Sequence, residues 1–243
     1  MKNYKILALK YRPQDFKDLI GQEVLSKTIT NAIKVGKTPN AYLLTGIRGV
    51  GKTTTARLIA KALNCENNVS KKNNCNPNNF CDSCRDITES RHIDVLEMDA
   101  ASKTGIDDIR DLIENSKYSP TSANFKIFII DEVHMLSKQA FNGLLKTLEE
   151  PPPSLKFILA TTEVKKIPIT ILSRCQRFDL KRVKIDQIFN HLDEISKKEK
   201  GNISSKALRI IAQVSEGSVR DGISLLDRAI TFQNANSKNE IND

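Results

Sequence analysis

A glycine-rich segment, Gly46 to Thr53 (GIRGVGKT), constrains the fold of this 243-residue chain more than any other part of its sequence. It follows a short apolar run (AYLLT) and precedes a helical pattern (TTTARLIAKAL). Glycines let a backbone wrap closely around an anion, and the N-terminus of the following helix directs its free N–H groups at the same point. This spacing, between a strand and a helix, predicts a loop that binds the phosphates of a nucleoside triphosphate. A chance glycine-rich turn would lack that context.

The residues of this segment have distinct predicted roles. Lys52 is expected to reach the β- and γ-phosphates, and the hydroxyl of Thr53 to coordinate Mg²⁺. The remaining nucleotide contacts are assigned to the loop and the first helical turn, at Gly46, Gly49, Val50, Gly51 and Thr54.

Two adjacent acids, Asp131 and Glu132, follow the apolar run KIFII. A strand that ends in two acids is typical of the Walker B element of nucleoside triphosphatases, in which the Asp holds Mg²⁺ and the next acid polarises the attacking water. A pair of solvated loop acids is the alternative. Because a small-molecule kinase needs no water-activating carboxylate, Glu132 favours hydrolysis over phosphoryl transfer to a substrate.

The apolar pattern alternates between short strand-like runs and helical periods. Near-continuous apolar runs at 41–45, 93–98, 126–131 and 156–161 indicate buried strands of a parallel sheet, with amphipathic helices between them. Ser137 is predicted to cap a helix that ends at the prolines 151–153. The alternation predicts an α/β fold.

The strand pattern stops near residue 180. The segment SKALRIIAQVSEGSVRDGISLLDRAI predicts two amphipathic helices, and the tail NANSKNEIND has no apolar period and is expected to be disordered or a cut end. We therefore predict an ATPase domain over 1–179 and a small helical domain over 180–243.

Composition and hydropathy indicate the compartment and the kind of partner to expect. No apolar run approaches the roughly 20 residues of a membrane span, and the N-terminus lacks a signal peptide's apolar core, so a cytoplasmic protein without membrane contact is expected. The net charge of +9 fits a polyanionic partner such as nucleic acid. A lysine- and asparagine-rich composition would explain the same charge.

Four of the five cysteines, Cys65, Cys75, Cys81 and Cys84, fall within one polar insertion at 65–84. In a reducing compartment, four thiols ending in C-x2-C suit a closed, structural Zn²⁺ site. Free thiols are the alternative. Cys175 is interpreted as a packed small residue, and the isolated His92 and His134 as hydrogen-bonded structural residues.

Longer motifs extend the interpretation. LALKYRPQDFKDLIGQE, GIRGVGKTTTARLIAKALNC, IDEVHMLSKQAFNGLLKTLEEPP, LATTE and ILSRCQRF together resemble the gamma/tau subunit family of bacterial DNA polymerase III clamp-loader ATPases. The resemblance runs from Tyr4 to about Ile230. It implies an AAA+ fold, with a five-stranded parallel sheet, helices on both faces and a helical lid.

The resemblance also implies roles for single residues. Thr161 or Thr162 matches the sensor 1 position, with Thr162 preferred, and Arg220 matches sensor 2. Arg174 matches the arginine finger that reaches a neighbouring subunit's ATP, and Arg12-Pro13 borders the adenine pocket. The family has a zinc module, but five residues separate Cys75 from Cys81 where two are typical, which leaves ligation by Cys75 open.

The function implied is that of an ATP hydrolase within a DNA-directed DNA polymerase (nucleotidyltransferase) holoenzyme, with ATP, Mg²⁺ and Zn²⁺ as cofactors. Its partners would be delta and delta-prime type subunits, the sliding clamp and primer–template DNA, assembled through a collar domain that this chain is expected to lack. A non-hydrolysing scaffold subunit and another AAA+ motor, such as a branch-migration helicase, are the alternatives. Intact phosphate-site residues oppose the first, and the cysteine insertion and Ser-Arg-Cys motif oppose the second.

Overall fold

The structure, a computed structural model, describes residues 6–66, 75, 77, 79–102 and 105–235. Much of the polar insertion that follows Cys65 lies outside these residues. So does the predicted tail, except for its first two residues, which belong to the last helix.

Five parallel strands form one sheet within the described residues, in the order β2-β3-β4-β1-β5. The central strands β1, β3 and β4 are almost completely buried, as expected for a parallel sheet covered on both faces. The predicted α/β class and five-stranded parallel sheet are thus confirmed. The strands are β1 Ala41–Thr45, β2 Val95–Asp99, β3 Lys126–Asp131, β4 Leu155–Thr161 and β5 Gln176–Asp179.

Two strands differ from the apolar pattern. β2 begins at Val95 rather than at Ile93, whose side chain is exposed. β5 has only four residues, three of them exposed, so it carries no apolar run that a sequence pattern would detect. It belongs to the sheet because it pairs with β1, from Tyr42 opposite Gln176 to Thr45 opposite Asp179.

Helices cover both faces of the sheet. Successive residues of a strand point to opposite faces, and β3 accordingly sends Phe128 and Ile130 into one apolar cluster and Ile127 and Ile129 into another. The first cluster includes residues of α5 and α6, and the second includes residues of α2 and α3. These elements are α1 Leu7–Lys10, α2 Glu23–Lys34, α3 Lys52–Asn64, α4 Asp82–Thr88, α5 Ile106–Ser116, α6 Lys138–Glu149 and α7 Ile169–Leu172.

The N-terminus of α6 follows the predicted capping pattern. The Ser137 side chain accepts a hydrogen bond from the backbone N–H of Ala140 at 3.2 Å. At the other end, the helix stops at Glu149, just before the three prolines. Both predicted boundaries of this helix are confirmed.

The C-terminal part contains three helices rather than the two predicted, namely α8 Ile185–Lys198, α9 Ser205–Val214 and α10 Val219–Ala235. α8 buries Ile188, Leu192 and Ile195, the spacing of one helical face. These helices form a third apolar cluster, which Leu7 from the N-terminal segment also joins. The proposed domain division at residue 179 remains a prediction.

No helix in the part of the chain that the structure describes combines the length and apolar character needed to cross a bilayer.

Candidate nucleotide site and metal centre

The predicted phosphate-site residues meet at one edge of the sheet. Because β1, β3 and β4 are parallel neighbours, their carboxyl ends share that edge. The glycine-rich loop follows β1, Asp131 ends β3, and Thr161 ends β4.

The loop has the backbone conformation that its glycines predict. Gly46, Gly49 and Gly51 have φ angles of 148°, 78° and 103°, which L-residues with side chains rarely adopt. α3 begins immediately afterwards at Lys52, so its free N–H groups face the concave side of the loop. Val50 is buried in the second apolar cluster and anchors the loop to the core.

Lys52 is buried beneath the loop. Its Nζ donates to the carbonyl oxygens of Gly46 at 3.0 Å and Ile47 at 3.1 Å and lies 3.9 Å from Oε1 of Glu132. Burial lowers the pKa of Lys52, and the carboxylates of Glu132 and Asp131 oppose that shift. The ammonium group is therefore held by carbonyls and one acid at the point where phosphate oxygens are expected.

The two predicted magnesium ligands touch each other. Oγ1 of Thr53 donates to Oδ2 of Asp131, and the backbone N–H of Glu132 donates to the other Asp131 oxygen at 2.9 Å. A hydroxyl and a carboxylate side by side are hard oxygen ligands of the kind Mg²⁺ prefers. The residues present therefore fit this ion.

The two candidate sensor 1 residues have different partners. Thr162 donates to Oε2 of Glu132 through both its backbone N–H, at 3.2 Å, and its hydroxyl, at 2.9 Å. Thr161 is fully buried, and its hydroxyl lies 3.0 Å from Nδ1 of His134. Thr162 thus touches the predicted water-activating acid directly, and Thr161 adjoins it through the histidine.

His134 was interpreted from the sequence as a structural residue outside the site, but it contacts the site. Its Nδ1 is 3.4 Å from Oε2 of Glu132, and its Nε2 is 3.4 Å from Oε1 of Glu163. The only sequence signal was its position two residues after Glu132. His92, by contrast, bonds Ser83 and the backbone N–H of Asp94, as a structural histidine would.

The lid meets the phosphate loop at the start of α10. The backbone N–H of Arg220 donates to the carbonyl of Gly49 at 3.2 Å. A Cβ on Gly49 would lie only 2.0 Å from Oγ of Ser218. The predicted sensor 2 residue is therefore anchored against the loop by its backbone.

The predicted base-pocket residues lie beside α3. Arg12 donates through Nε to Oγ1 of Thr54 at 3.1 Å. Burial lowers the pKa of Arg12, the neighbouring cations Arg57 and Arg220 lower it further, and Glu97 opposes them. Arg12 and Pro13 line a cleft of about 530 Å³ between the N-terminal segment and α8. No residue of Gly46–Thr53 lines that cleft.

Arg174 lies near the amino ends of the parallel strands, opposite the carboxyl ends where the phosphate loop lies. It lies two residues before β5, whose first residue pairs with Tyr42 of β1, about 13 Å along the strands from the phosphate loop. Its guanidinium forms an ion pair with Glu149 and donates to the carbonyl of Thr170 at 2.6 Å. The structure thus separates Arg174 from its own chain's phosphate site.

The four cysteines of the insertion come together. The sulfurs of Cys65, Cys75, Cys81 and Cys84 all lie within 4.8 Å of one another, and those of Cys75 and Cys81 are 3.9 Å apart. A tetrahedral zinc with Zn–S bonds of about 2.3 Å separates its sulfurs by about 3.8 Å. The donor set therefore fits Zn²⁺, and the longer spacing does not displace Cys75.

Backbone groups support this cluster. The N–H groups of Cys81 and Cys84 donate to the sulfurs of Cys75 and Cys81 at 3.4 and 3.5 Å. Burial acts to raise the pKa of Cys81, but hydrogen bonds to its sulfur lower the pKa overall, which favours the thiolate. Cys175 is separate. It packs against the first apolar cluster, and burial raises its pKa to about 11.

Two family profiles match the chain over most of its length. The profile described as DNA polymerase III, delta subunit matches residues 21–184. The profile described as DNA polymerase III clamp loader subunit, ATPase lid domain matches residues 187–235.

Individual relatives have similar names. The chain is 48% identical over 228 residues to DNA polymerase III subunit tau of Escherichia coli (strain K12), covering 94% of this chain and 35% of that protein. It is 50% identical over 240 residues to DNA polymerase III subunit gamma of Buchnera aphidicola subsp. Schizaphis graminum (strain Sg), covering 99% of this chain and 64% of the relative. The chain thus spans about a third to two thirds of these relatives' length.

Among solved structures, the Thermotoga maritima RuvB Holliday junction branch migration motor superposes with a TM-score of 0.69 at 20% identity, covering 96% of this chain and 69% of that one. This likeness shows the AAA+ fold alone. Together with the profile matches, the fold and the relatives show that the chain belongs to the DNA polymerase III clamp-loader subunit family, with gamma and tau subunits among its relatives.

Proposed function

We propose that this chain is an ATP-hydrolysing subunit of the DNA polymerase III clamp loader, which uses ATP to load a sliding clamp onto primer–template DNA. The observation that carries the proposal is the network of Lys52, Thr53, Asp131 and Glu132 at one edge of the sheet. These residues supply a phosphate-binding cation, two magnesium ligands and an acid for a water molecule.

ATP binding would use the loop and the start of α3. The loop N–H groups would surround the phosphates, and the Lys52 ammonium would exchange its carbonyl partners for phosphate oxygens. Thr53 and Asp131 would hold Mg²⁺, which when bound neutralises charge on the phosphates. Arg12 and Pro13 would border the base, and Arg220 would extend from the lid towards the γ-phosphate.

Hydrolysis would proceed through Glu132. Its carboxylate accepts a proton from a water molecule, whose oxygen attacks the γ-phosphorus. The bond from that phosphorus to the β–γ bridging oxygen breaks, and ADP and inorganic phosphate result. Thr162, which bonds the same carboxylate, is placed to align it.

One positive charge would come from another subunit. Arg174 lies at the opposite edge of the sheet from its own loop, so it can act on ATP only across an interface. Arginine fingers of this kind accelerate GTPases by about 10³–10⁵. A single subunit should therefore hydrolyse ATP poorly.

The cysteine cluster would bind zinc in a structural role. All four tetrahedral positions are taken by cysteines, which leaves no open position for a substrate. The bound metal would supply folding free energy to a polar segment with few apolar residues.

The partners belong to the same proposal. They are delta and delta-prime type subunits, the sliding clamp and primer–template DNA, with assembly through a collar domain. The net charge of +9 suits the DNA phosphates. A non-hydrolysing scaffold role is disfavoured because the phosphate loop and both Walker B acids are intact, and a RuvB-like motor has only fold similarity in its support.

Nucleotide binding and hydrolysis by three proteins test the proposal: wild type, Lys52→Ala and Glu132→Gln. Wild type should bind ATP and, within the assembled loader with clamp and primed DNA, hydrolyse it. Lys52→Ala should lose binding, while Glu132→Gln should bind normally and hydrolyse at least about 100-fold more slowly. Normal turnover by Glu132→Gln, or no ATP binding by wild type, would refute it.

A further inference from the structure

His134 lies at the centre of a polar network that the proposed mechanism has not used. Its side chain is only 5% exposed, although it belongs to the short 3-10 helix Val133–Met135 at the surface end of β3. Each ring nitrogen faces an acceptor. Nδ1 faces the Thr161 hydroxyl and Oε2 of Glu132, and Nε2 faces Oε1 of Glu163.

The two carboxylate oxygens of Glu132 have different surroundings in this network. Oε2 accepts hydrogen bonds from the backbone N–H and the hydroxyl of Thr162, and Nδ1 of His134 lies 3.4 Å away. Oε1 faces the Lys52 ammonium at 3.9 Å, towards the phosphate loop. One oxygen is thus used for orientation, which leaves the other directed towards the place where water must be activated.

Packing alone does not explain a histidine at this position. Val133, the preceding residue, is fully buried in the first apolar cluster and anchors the 3-10 helix to the core. The contacts of the His134 ring nitrogens are to side chains at the ends of β3 and β4. An imidazole can hold two such groups at once because its two nitrogens point in different directions.

We infer that His134 is a positioning residue for ATP hydrolysis, which fixes the Glu132 carboxylate relative to the sensor 1 strand end and is itself oriented by Glu163. The inference rests on the proposed function, because the only role that it gives His134 is to orient the carboxylate of Glu132, the proposed general base. Hydrogen-bond partners that orient metal ligands contribute about 10–100-fold to activity, and we expect a comparable contribution where the oriented group is a general base.

Two substitutions separate the roles of the ring nitrogens. His134→Ala removes both contacts. His134→Asn retains an amide group close to the position of Nδ1 and loses the contact to Glu163. We expect the single-turnover hydrolysis rate in the assembled loader to fall about tenfold or more in His134→Ala, with partial recovery in His134→Asn. The dissociation constant for ATP should change less than about twofold, because neither contact is to the phosphate loop.

A double-mutant cycle distinguishes positioning from general support of the fold. In a Glu132→Gln background, His134→Ala should cause little further loss, because the group it aims can no longer accept a proton. His92→Asn, which removes another buried imidazole outside the site, is the matched control and should leave the rate per bound ATP unchanged.

The outcomes are distinct. If wild type does not hydrolyse ATP, the proposed function fails. If wild type hydrolyses ATP and His134→Ala does so equally fast, the positioning role is refuted. Additive losses in the double mutant, or a rate loss in His92→Asn as large as that in His134→Ala, would also overturn it.

Discussion

Glu132 adopts a backbone conformation that few residues with side chains tolerate, with φ at +46°. Such strain persists only where the surroundings hold the residue in place, and it concentrates at functional sites. Here the backbone N–H of Glu132 donates to Asp131, the carboxylate accepts a hydrogen bond from the Thr162 hydroxyl, and Nδ1 of His134 lies 3.4 Å from it. The unfavourable turn carries the acid away from the strand and towards the phosphate loop.

Asp94 is a buried carboxylate, and its burial has a measurable consequence for stability. It is 1% exposed, and its carboxylate accepts hydrogen bonds from the backbone N–H groups of residues 121, 122 and 123 at 2.9, 2.7 and 3.0 Å. Asp94→Asn should lower the free energy of unfolding at pH 7 by about 1–3 kcal/mol, because donors are left without a matched acceptor. Urea denaturation measures this, with the exposed Asp111→Asn as the control.

The same difference should depend on pH. Burial acts to raise the pKa of Asp94, but its hydrogen bonds lower the pKa overall. The stabilisation is therefore present above the ordinary Asp pKa of about 4 and is lost as the pH falls through the lower folded-state value. Wild type and Asp94→Asn should converge in acid. A constant difference down to about pH 2 would contradict this assignment.

At this scale the sequence predicted the residues that follow a recognisable local pattern. Asp131 and Glu132 end an apolar strand, and Lys52 and Thr53 belong to the loop motif, so spacing alone identified them. His134 was interpreted as a structural residue outside the site because its partner Thr161 is 27 residues away and only the sheet brings the two together. The choice between Thr161 and Thr162 at the sensor 1 position also depends on contacts across the sheet, which local spacing does not encode.

Among the elements, α3 connects the two sites. It begins at Lys52 in the proposed phosphate site and ends at Asn64, next to Cys65 of the four-cysteine cluster. Near its end, the buried Lys61 donates to the carbonyl of Gln14 at 2.9 Å and lies 3.9 Å from the Phe80 ring centroid. The cysteine insertion therefore packs on the same helix whose N-terminal N–H groups would face the phosphates of the proposed nucleotide.

Metal removal should affect this helix first. Cys84→Ser, or a chelator, should abolish zinc binding, lower the melting temperature and speed amide exchange at residues 61–66 and 79–88. Cys175→Ser, outside the cluster, should retain the metal. Elemental analysis and hydrogen exchange measure both effects. Full zinc content in Cys84→Ser, or none in wild type, would exclude the four-cysteine site.

The contact between the loop and the start of α10 gives a second prediction. Gly49→Ala combines a left-handed backbone with a Cβ that would lie 2.0 Å from Oγ of Ser218. Gly36 has a similar φ of 71° with nothing within 4 Å, so Gly36→Ala measures the backbone strain alone, about 1–2 kcal/mol. Gly49→Ala should be more destabilising and should also weaken ATP binding. Equal effects of the two substitutions would show that the lid contact is unimportant.

Most elements with a strong period of apolar residues were predicted, with α8 the exception, whereas β5 has no such period. The central strands and the capped α6 follow from apolar runs and from Ser137. β5 has no such run because it is a four-residue edge strand that pairs with β1 and leaves three of its residues exposed. α8 has a clear apolar face, with Ile188, Leu192 and Ile195 buried at helical spacing, so the sequence does contain a signal for this third helix.

In the whole molecule, the two halves of the proposed reaction lie on opposite edges of one sheet. The phosphate loop, Asp131 and Glu132 occupy the carboxyl edge, while Arg174 precedes β5 at the amino edge. Arg174 is held by Glu149 and by the carbonyl of Thr170 in α7. One subunit would thus present a phosphate site to one neighbour and a cation to another, which links hydrolysis to assembly.

Mixed assemblies test this arrangement most directly. Arg174→Ala subunits retain a complete phosphate site, and Glu132→Gln subunits retain the arginine. Each variant alone, as the complete subunit in the assembled loader with clamp and primed DNA, should bind ATP but show little stimulated hydrolysis. A mixture of the two should recover turnover, because the arginine of one subunit reaches the intact site of the other. A mixture as inactive as its components, or full activity of Arg174→Ala alone, would contradict a shared active site.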